Sequence, residues 1–226
     1  IESPDKWTDR VKHLSRVFLK YPQVLASGVS FDGSNSVYYM HNSEGTTLRH
    51  PESLFYLQIR ASGQAADGST VRDSMLIPRL QADKLPGDPE LEKAVKEVAE
   101  NVRGLTAAKT GETYSGPVLV EGVAAAQMVA EVLAPAFTLS RRPVAEPGRP
   151  APFMPSEFEG RIGSRVLPEF LDVVDDAKQT AWNGAPLFGT YQIDEEGVVP
   201  QPLTLVEKGR LKGFVLSRQP VKGFEA

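Results

Sequence analysis

The chain has 226 residues, enough for one large domain or two ordinary ones, and its 41% hydrophobic and 24% charged residues are globular rather than disordered values. A net charge of −4, with no block of Lys or Arg, argues against direct nucleic-acid binding, because phosphate binding needs clustered positive charge. There is no cysteine, which excludes disulfides, thiolate metal sites and cysteine nucleophiles within the chain and fits a reducing, cytoplasmic setting, and no apolar run approaches the roughly 18 residues that a membrane-spanning helix needs.

Residues 3–20 read as a helix. Ser3 suits the N-cap and Pro4 the first helical position, while Trp7, Val11, Leu14 and Phe18 recur as one apolar stripe. Tyr21-Pro22 stops it. His13 lies beside the stripe and reads as a surface or boundary residue. Residues 23–80 read as antiparallel strands. "QVLASGVSF" and "SVYYMH" flank Asp32-Gly33-Ser34-Asn35, which predicts a hairpin. Residues 42–45, "NSEG", predict a second turn and Asp67-Gly68 a third. In "LFYLQIRASGQ", Phe55, Leu57 and Ile59 alternate with Tyr56, Gln58 and Arg60, so one face of that strand is buried. Such a four-stranded meander needs helical cover. Residues 88–104 supply a second helix, capped by Asp88, started by Pro89 and ended by Gly104, with Leu91, Val95, Val98 and Val102 as its stripe. Residues 107–116 then read as a linker.

The second half opens with "GPVLVEGVAAAQMVAEVLAP", residues 116–135, which predicts a short buried strand and a helix made mostly of Ala and Val. Residues 139–160 hold five prolines and are neither helix nor central strand; a loop this long is functional or disordered. Strand signals resume in "RVLPEFLDVVDD". Asp194-Glu195-Glu196-Gly197 predicts a turn, and "LTLVEKGRLKGFVL" a tight hairpin about Lys208-Gly209. The fold class is therefore α+β. An antiparallel sheet flanked by two helices occupies residues 1–112, and a second, mainly antiparallel β domain with one prominent helix occupies 113–226.

Residues able to carry chemistry are few. The three histidines, His13, His41 and His50, include no i, i+4 pair on a helix, so no zincin-type site is present. His41 and His50 could approach across adjacent strands, giving two ligands at best. Asp172, Asp175 and Asp176 at a strand end, and Asp194, Glu195 and Glu196 in a turn, are candidates for a hard cation, although Asp and Glu before Gly are ordinary turn chemistry. No G-x-S-x-G elbow or Gly-rich phosphate loop is present. Arg141 and Arg142 open the proline-rich loop and are candidates to meet a peptide carboxylate or a partner.

Three blocks carry a resemblance. "YSGPVLVEGVAAAQMVAEVLAPAF", "RIGSRVLPEFLDVVDD" and "DEEGVVPQPLTLVEKGRLKGFVLSR", in this order and spacing, resemble the TldD/PmbA family, also called modulators of DNA gyrase. The strongest single piece is the D-[DE]-E-G-V-x-x-Q turn followed by V-E-K-G-x-L-K-G; the "NSEG" turn also resembles that family's middle region. The resemblance implies that an N-terminal domain and a C-terminal tail lie outside this chain. Family members of the TldD type are zinc peptidases whose strand-to-helix segment carries H-E-x-x-x-H, with a further ligand from the tail. Laid on this chain, the first His falls on Glu121, the general base on Gly122 and the second His on Ala126. A catalytic zinc needs about three protein ligands and an open position for water. The resemblance therefore implies the PmbA (TldE-like) branch, with no catalytic residue and no cofactor of its own and zinc confined to the active branch. It implies a dimer with a TldD-type subunit or with itself, acting on extended peptides. Ala124, Ala125, Met128, Val129, Val132 and Leu133 are then expected to be packing residues. Two alternatives stay open: an active zinc peptidase with ligands elsewhere, and a peptide-binding protein that has left proteolysis, which loop 139–160 favours.

Overall fold

The computed structural model describes residues 4–149 and 151–224, and the chain divides into two units, Ile1–Tyr114 and Ser115–Ala226. The first unit begins with α1 (Pro4–Ser15), which tightens into a 3-10 turn over Arg16–Lys20. Ser3, the expected cap, lies outside the described residues. Three antiparallel strands follow in the order β1 (Ala26–His41), β2 (Thr47–Gln64) and β3 (Thr70–Arg79), and then α2 (Asp88–Ala107). Phe55, Leu57, Ile59 and Ala61 of β2 face Trp7, Leu14 and Phe18 of the first helical segment and Leu91, Val95, Val98 and Val102 of α2. Leu14, Leu57, Ile59, Leu91 and the three valines are almost fully buried, and each such side chain stabilises the unit by about 1.5–3 kcal/mol. Arg10 ties the helices together by donating to the Asp88 carboxylate and the Pro86 carbonyl.

Three details depart from the sequence reading. The expected hairpin at residues 32–35 does not form: β1 runs straight through it, and the sheet has three strands rather than four. Gly33 pairs with Phe55, and a Cβ at Gly33 would meet the Phe55 ring at 2.6 Å. This glycine makes room for a ring rather than a turn. The turn expected at residues 42–45 does form and joins β1 to β2, with the Asn42 side chain accepting from the Glu44 and Thr46 amides and Gly45 at φ +86. Asp88 is the first helical residue, and Gly87 occupies the cap. Nor does Gly104 end α2, which runs on to Ala107 and brings Thr106 beside Gly63 of β2.

In the second unit, residues 116–121 form no strand, and Val118 and Leu119 are exposed. Helix α3 (Gly122–Val132) follows. The remaining strands are short: β4 (Val173–Asp175), β5 (Ala181–Trp182), β6 (Ala185–Pro186), β7 (Leu203–Glu207) and β8 (Arg210–Leu211). They form a sheet of order β4-β7-β8 and a small β5–β6 hairpin. Phe137, Leu139, Phe158, Leu205, Val206, Leu211 and Phe214 make the core. The β7–β8 turn has φ +47 at Lys208 and +72 at Gly209, the signature of a type I′ hairpin. Loop 139–160 is pinned at both ends, by buried Leu139 and Phe158, and the Ser156 hydroxyl donates to the Ala136 carbonyl.

Candidate functional site

The segment that opens α3 is the place to look for chemistry. Glu121 sits before the helix in extended backbone, φ −125 and ψ 159, and its carbonyl accepts from the Ala125 amide. Gly122, the first helical residue, has φ +58. This left-handed backbone is open to glycine and strained for a residue with a Cβ. A glutamate at that position would carry the strain. Glu121, Gly122 and Ala126 are all exposed.

The helix itself is apolar nearly all round, yet none of its residues is buried. Val123 is 84% exposed and Val132 65%, and Met128 and Val129 are about half exposed. Of the residues expected to pack, only Ala125 and Leu133 are half-buried. Packing is thus not what this helix does within the described chain. Val123, Met128, Val129 and Val132 are exposed apolar side chains on one short helix.

The carboxylates at turns are used by backbone. Asp194 Oδ1 accepts from the Glu196 and Val198 amides at 2.9 and 2.8 Å, Gly197 takes φ +82, and Glu196 Oε2 accepts from the Arg218 amide at 2.7 Å. Asp172 Oδ1 accepts from the Lys208 amide at 2.6 Å and so fixes the β7–β8 turn, while Asp176 Oδ1 accepts from the Lys178 amide at 3.0 Å. One oxygen of each of these four carboxylates thus serves a backbone amide of the loops. His41 and His50 do not share a site. His41 faces Thr47 across the ribbon, with Nδ1 3.0 Å from Oγ1, whereas His50 faces Tyr38, so strand alternation sends the two to opposite faces. Among the described residues, no three His, Cys, Asp or Glu side chains converge. The donor set of these residues does not fit a catalytic zinc.

Arg141 and Arg142 are both exposed, and the structure does not bring them together on one target: Arg142 lies 5.0 Å over the Phe153 ring, within the proline-rich loop. His13 is better employed than a bystander, because its Nε2 hydrogen-bonds Glu92 Oε1 at 3.1 Å between α1 and α2. That bond, foremost, and then the Lys96 charge hold the Glu92 carboxyl below its usual value. The sequence reading missed the exposure of α3, which its periodicity cannot reveal, whereas the turn role it gave Asp194 is what the structure shows.

The two units are mixed α+β, with antiparallel sheets and a few helices. Residues 110–225 match the PmbA/TldA metallopeptidase C-terminal domain, just over half of the sequence, and the chain belongs to the PmbA/TldD family. A stretch of 71 residues is 37% identical to a metalloprotease of Methanocaldococcus jannaschii, covering 31% of this chain and 15% of that protein. Among solved structures, the fold is similar to a proposed modulator of a DNA gyrase from Thermotoga maritima, with TM-score 0.69 and 17% identity over 95% of this chain and 46% of that one. It is also similar to TldE from Thermococcus kodakarensis, with TM-score 0.65 and 18% identity over 96% and 45%. At such identities the likeness is one of fold. The chain spans less than half the length of these solved relatives and 15% of the curated one. No helix among the described residues is long and apolar enough to cross a membrane.

Proposed function

We propose that this chain is a non-catalytic part of a PmbA/TldD-type peptidase system, one that holds a metal-bearing, TldD-type subunit and guides extended peptide to it in the cytoplasm. The observation that carries the reading is the set Glu121, Gly122 and Ala126, with Gly122 in a left-handed backbone. The three positions offer one carboxylate where a zinc peptidase of this family places two imidazoles and a general base. The exposed apolar face of α3 supports a partner subunit, either a TldD-type chain or a second copy. The outer edge of β1, unpaired among the described residues, supports extended peptide, which adds to a sheet by main-chain hydrogen bonds.

A second reading, a peptide-binding protein that has left proteolysis, is favoured by loop 139–160, which holds Val144 and Met154 out at 89% and 91% exposure. Mixing the purified protein with a TldD-type metallopeptidase subunit separates the readings. Co-elution of the two, with peptide cleavage only when both are present, is the expected result. Chelator-sensitive cleavage by this protein alone contradicts the proposal, and absence of any association leaves the second reading in its place.

A further inference from the structure

The sheet of the first unit buries one face under α1 and α2, and no described element of that unit covers the other. On it lies a cavity of about 540 Å³, lined by Ala26 and Gly28 of β1, Arg60 and Ser62 of β2, and Arg72 and Ser74 of β3. The register sets Gly28, Arg60 and Ser74 in one row and Ala26, Ser62 and Arg72 in the next. These positions alternate with Ile59 and Ala61, which are buried against the helices, so their side chains stand on the uncovered face. Arg60 and Arg72 are thus diagonal neighbours on adjacent strands, within reach of one ligand.

Neither guanidinium has a hydrogen bond, ion pair or ring contact among the described residues. Four other arginines of this unit are engaged: Arg10 with Asp88, Arg49 with Tyr39, Arg79 with the Lys84 and Pro78 carbonyls, and Arg103 with Glu100. The one acidic residue lining the cavity, Asp73, turns to the helix face, where its Oδ2 accepts from Asn101 Nδ2 at 2.9 Å. The register thus places two cationic positions diagonally on adjacent strands of one face, and an anion bound between them would be attracted by both charges. The floor adds two serine hydroxyls and is otherwise low, since a Cβ at Gly28 would meet nothing within 4 Å.

We propose that this cavity is a carboxylate-binding subsite, in which Arg60 and Arg72 receive an acidic side chain or the terminal carboxylate of an extended peptide. Guanidinium forks match a carboxylate in geometry and charge. A nucleic-acid backbone fits less well, because it needs a basic track rather than one pair on a chain of net charge −4. The subsite rests on the reading of this chain as a peptide-handling protein.

Fluorescence anisotropy at low ionic strength tests it with three labelled peptides: a C-terminally amidated Ala-Glu-Ala-Glu-Ala, its Gln counterpart, and that counterpart with a free C-terminus. The subsite predicts binding of at least one carboxylate-bearing peptide and none of the amidated Gln peptide. Whether the Glu peptide or the free C-terminus binds identifies the source of the carboxylate. R60Q and R72Q are each expected to weaken binding by at least about tenfold. Gly28→Leu keeps both charges and fills the cavity, and is expected to abolish binding. R49Q, on the same sheet outside the cavity, is expected to leave binding unchanged. Thermal melts confirm that each variant is folded. Wild-type binding in R60Q and R72Q, equal weakening by R49Q, no binding of either carboxylate peptide, or Arg60-dependent binding of inorganic phosphate alone overturns the proposal. None of these variants touches α3, so failure here with no zinc and intact partner association leaves the proposed function standing. Stoichiometric zinc with intact Arg-dependent peptide binding sinks that reading and spares this one.

Discussion

Gly209 combines two demands that only glycine meets. Its φ of +72 is left-handed, and a Cβ would meet the Leu167 carbonyl oxygen at 2.3 Å and the Pro168 carbonyl oxygen at 2.7 Å. Its own carbonyl accepts from the Val166 and Leu167 amides and its amide donates to the Leu171 carbonyl, so the turn cannot back away cheaply. Gly209→Ala is predicted to lower stability by about 2 kcal/mol or more, read as a drop in urea midpoint; an unchanged midpoint contradicts the account. The glycine was legible in the sequence as a turn residue, but its second duty depends on residues 166–171 crossing beside it, which no local pattern encodes. Glu92 gives a prediction in pH. Its folded-state carboxyl is held below the usual glutamate value of 4.5, first by the His13 hydrogen bond and then by Lys96. A depressed carboxyl stabilises the fold above the unfolded value and loses that contribution as pH falls through the lower, folded one. E92Q is therefore predicted to flatten the loss of stability below pH 4.5, with the wild type steeper. Parallel acid limbs in urea titrations count against the α1–α2 link.

At the scale of elements, periodicity located α1, α2, α3 and the β7–β8 hairpin, because each of these is written in a local repeat or a local turn. It failed where a residue's meaning is set from afar. The Asp32-Gly33 pair reads as a turn only until Phe55 is placed opposite it. The Ala- and Val-rich run of α3 reads as core only until its exposure is known, since an apolar helix looks the same whether it is buried in its own chain or aimed at another. This difference can be measured. The double variant Val123→Glu, Val132→Glu changes two exposed positions and is predicted to alter the stability of the chain by no more than about 0.5 kcal/mol. The same variant is predicted to lose co-elution with a TldD-type subunit. A large fall in stability would mean that α3 packs within its own unit after all.

For the whole molecule, the α+β class and the PmbA/TldD family follow from three sequence blocks and are matched by the fold. Glu121, Gly122 and Ala126 were picked out of the sequence by the resemblance to the family's motif alone. What the sequence could not convey is that Gly122 opens its helix at φ +58 or that Asp172 Oδ1 reaches the distant Lys208 amide. The Arg60 and Arg72 pair was likewise hidden, because it exists only through the β2–β3 register. The chain is a member of a metallopeptidase family, and under the proposed function it carries no catalytic zinc of its own. The measurement that tests this most directly is the zinc content of the purified protein after gentle dialysis, by elemental analysis. The account predicts less than about 0.1 zinc per chain. Zinc near one per chain would contradict it and make the protein an active peptidase with ligands beyond Glu121, Gly122 and Ala126.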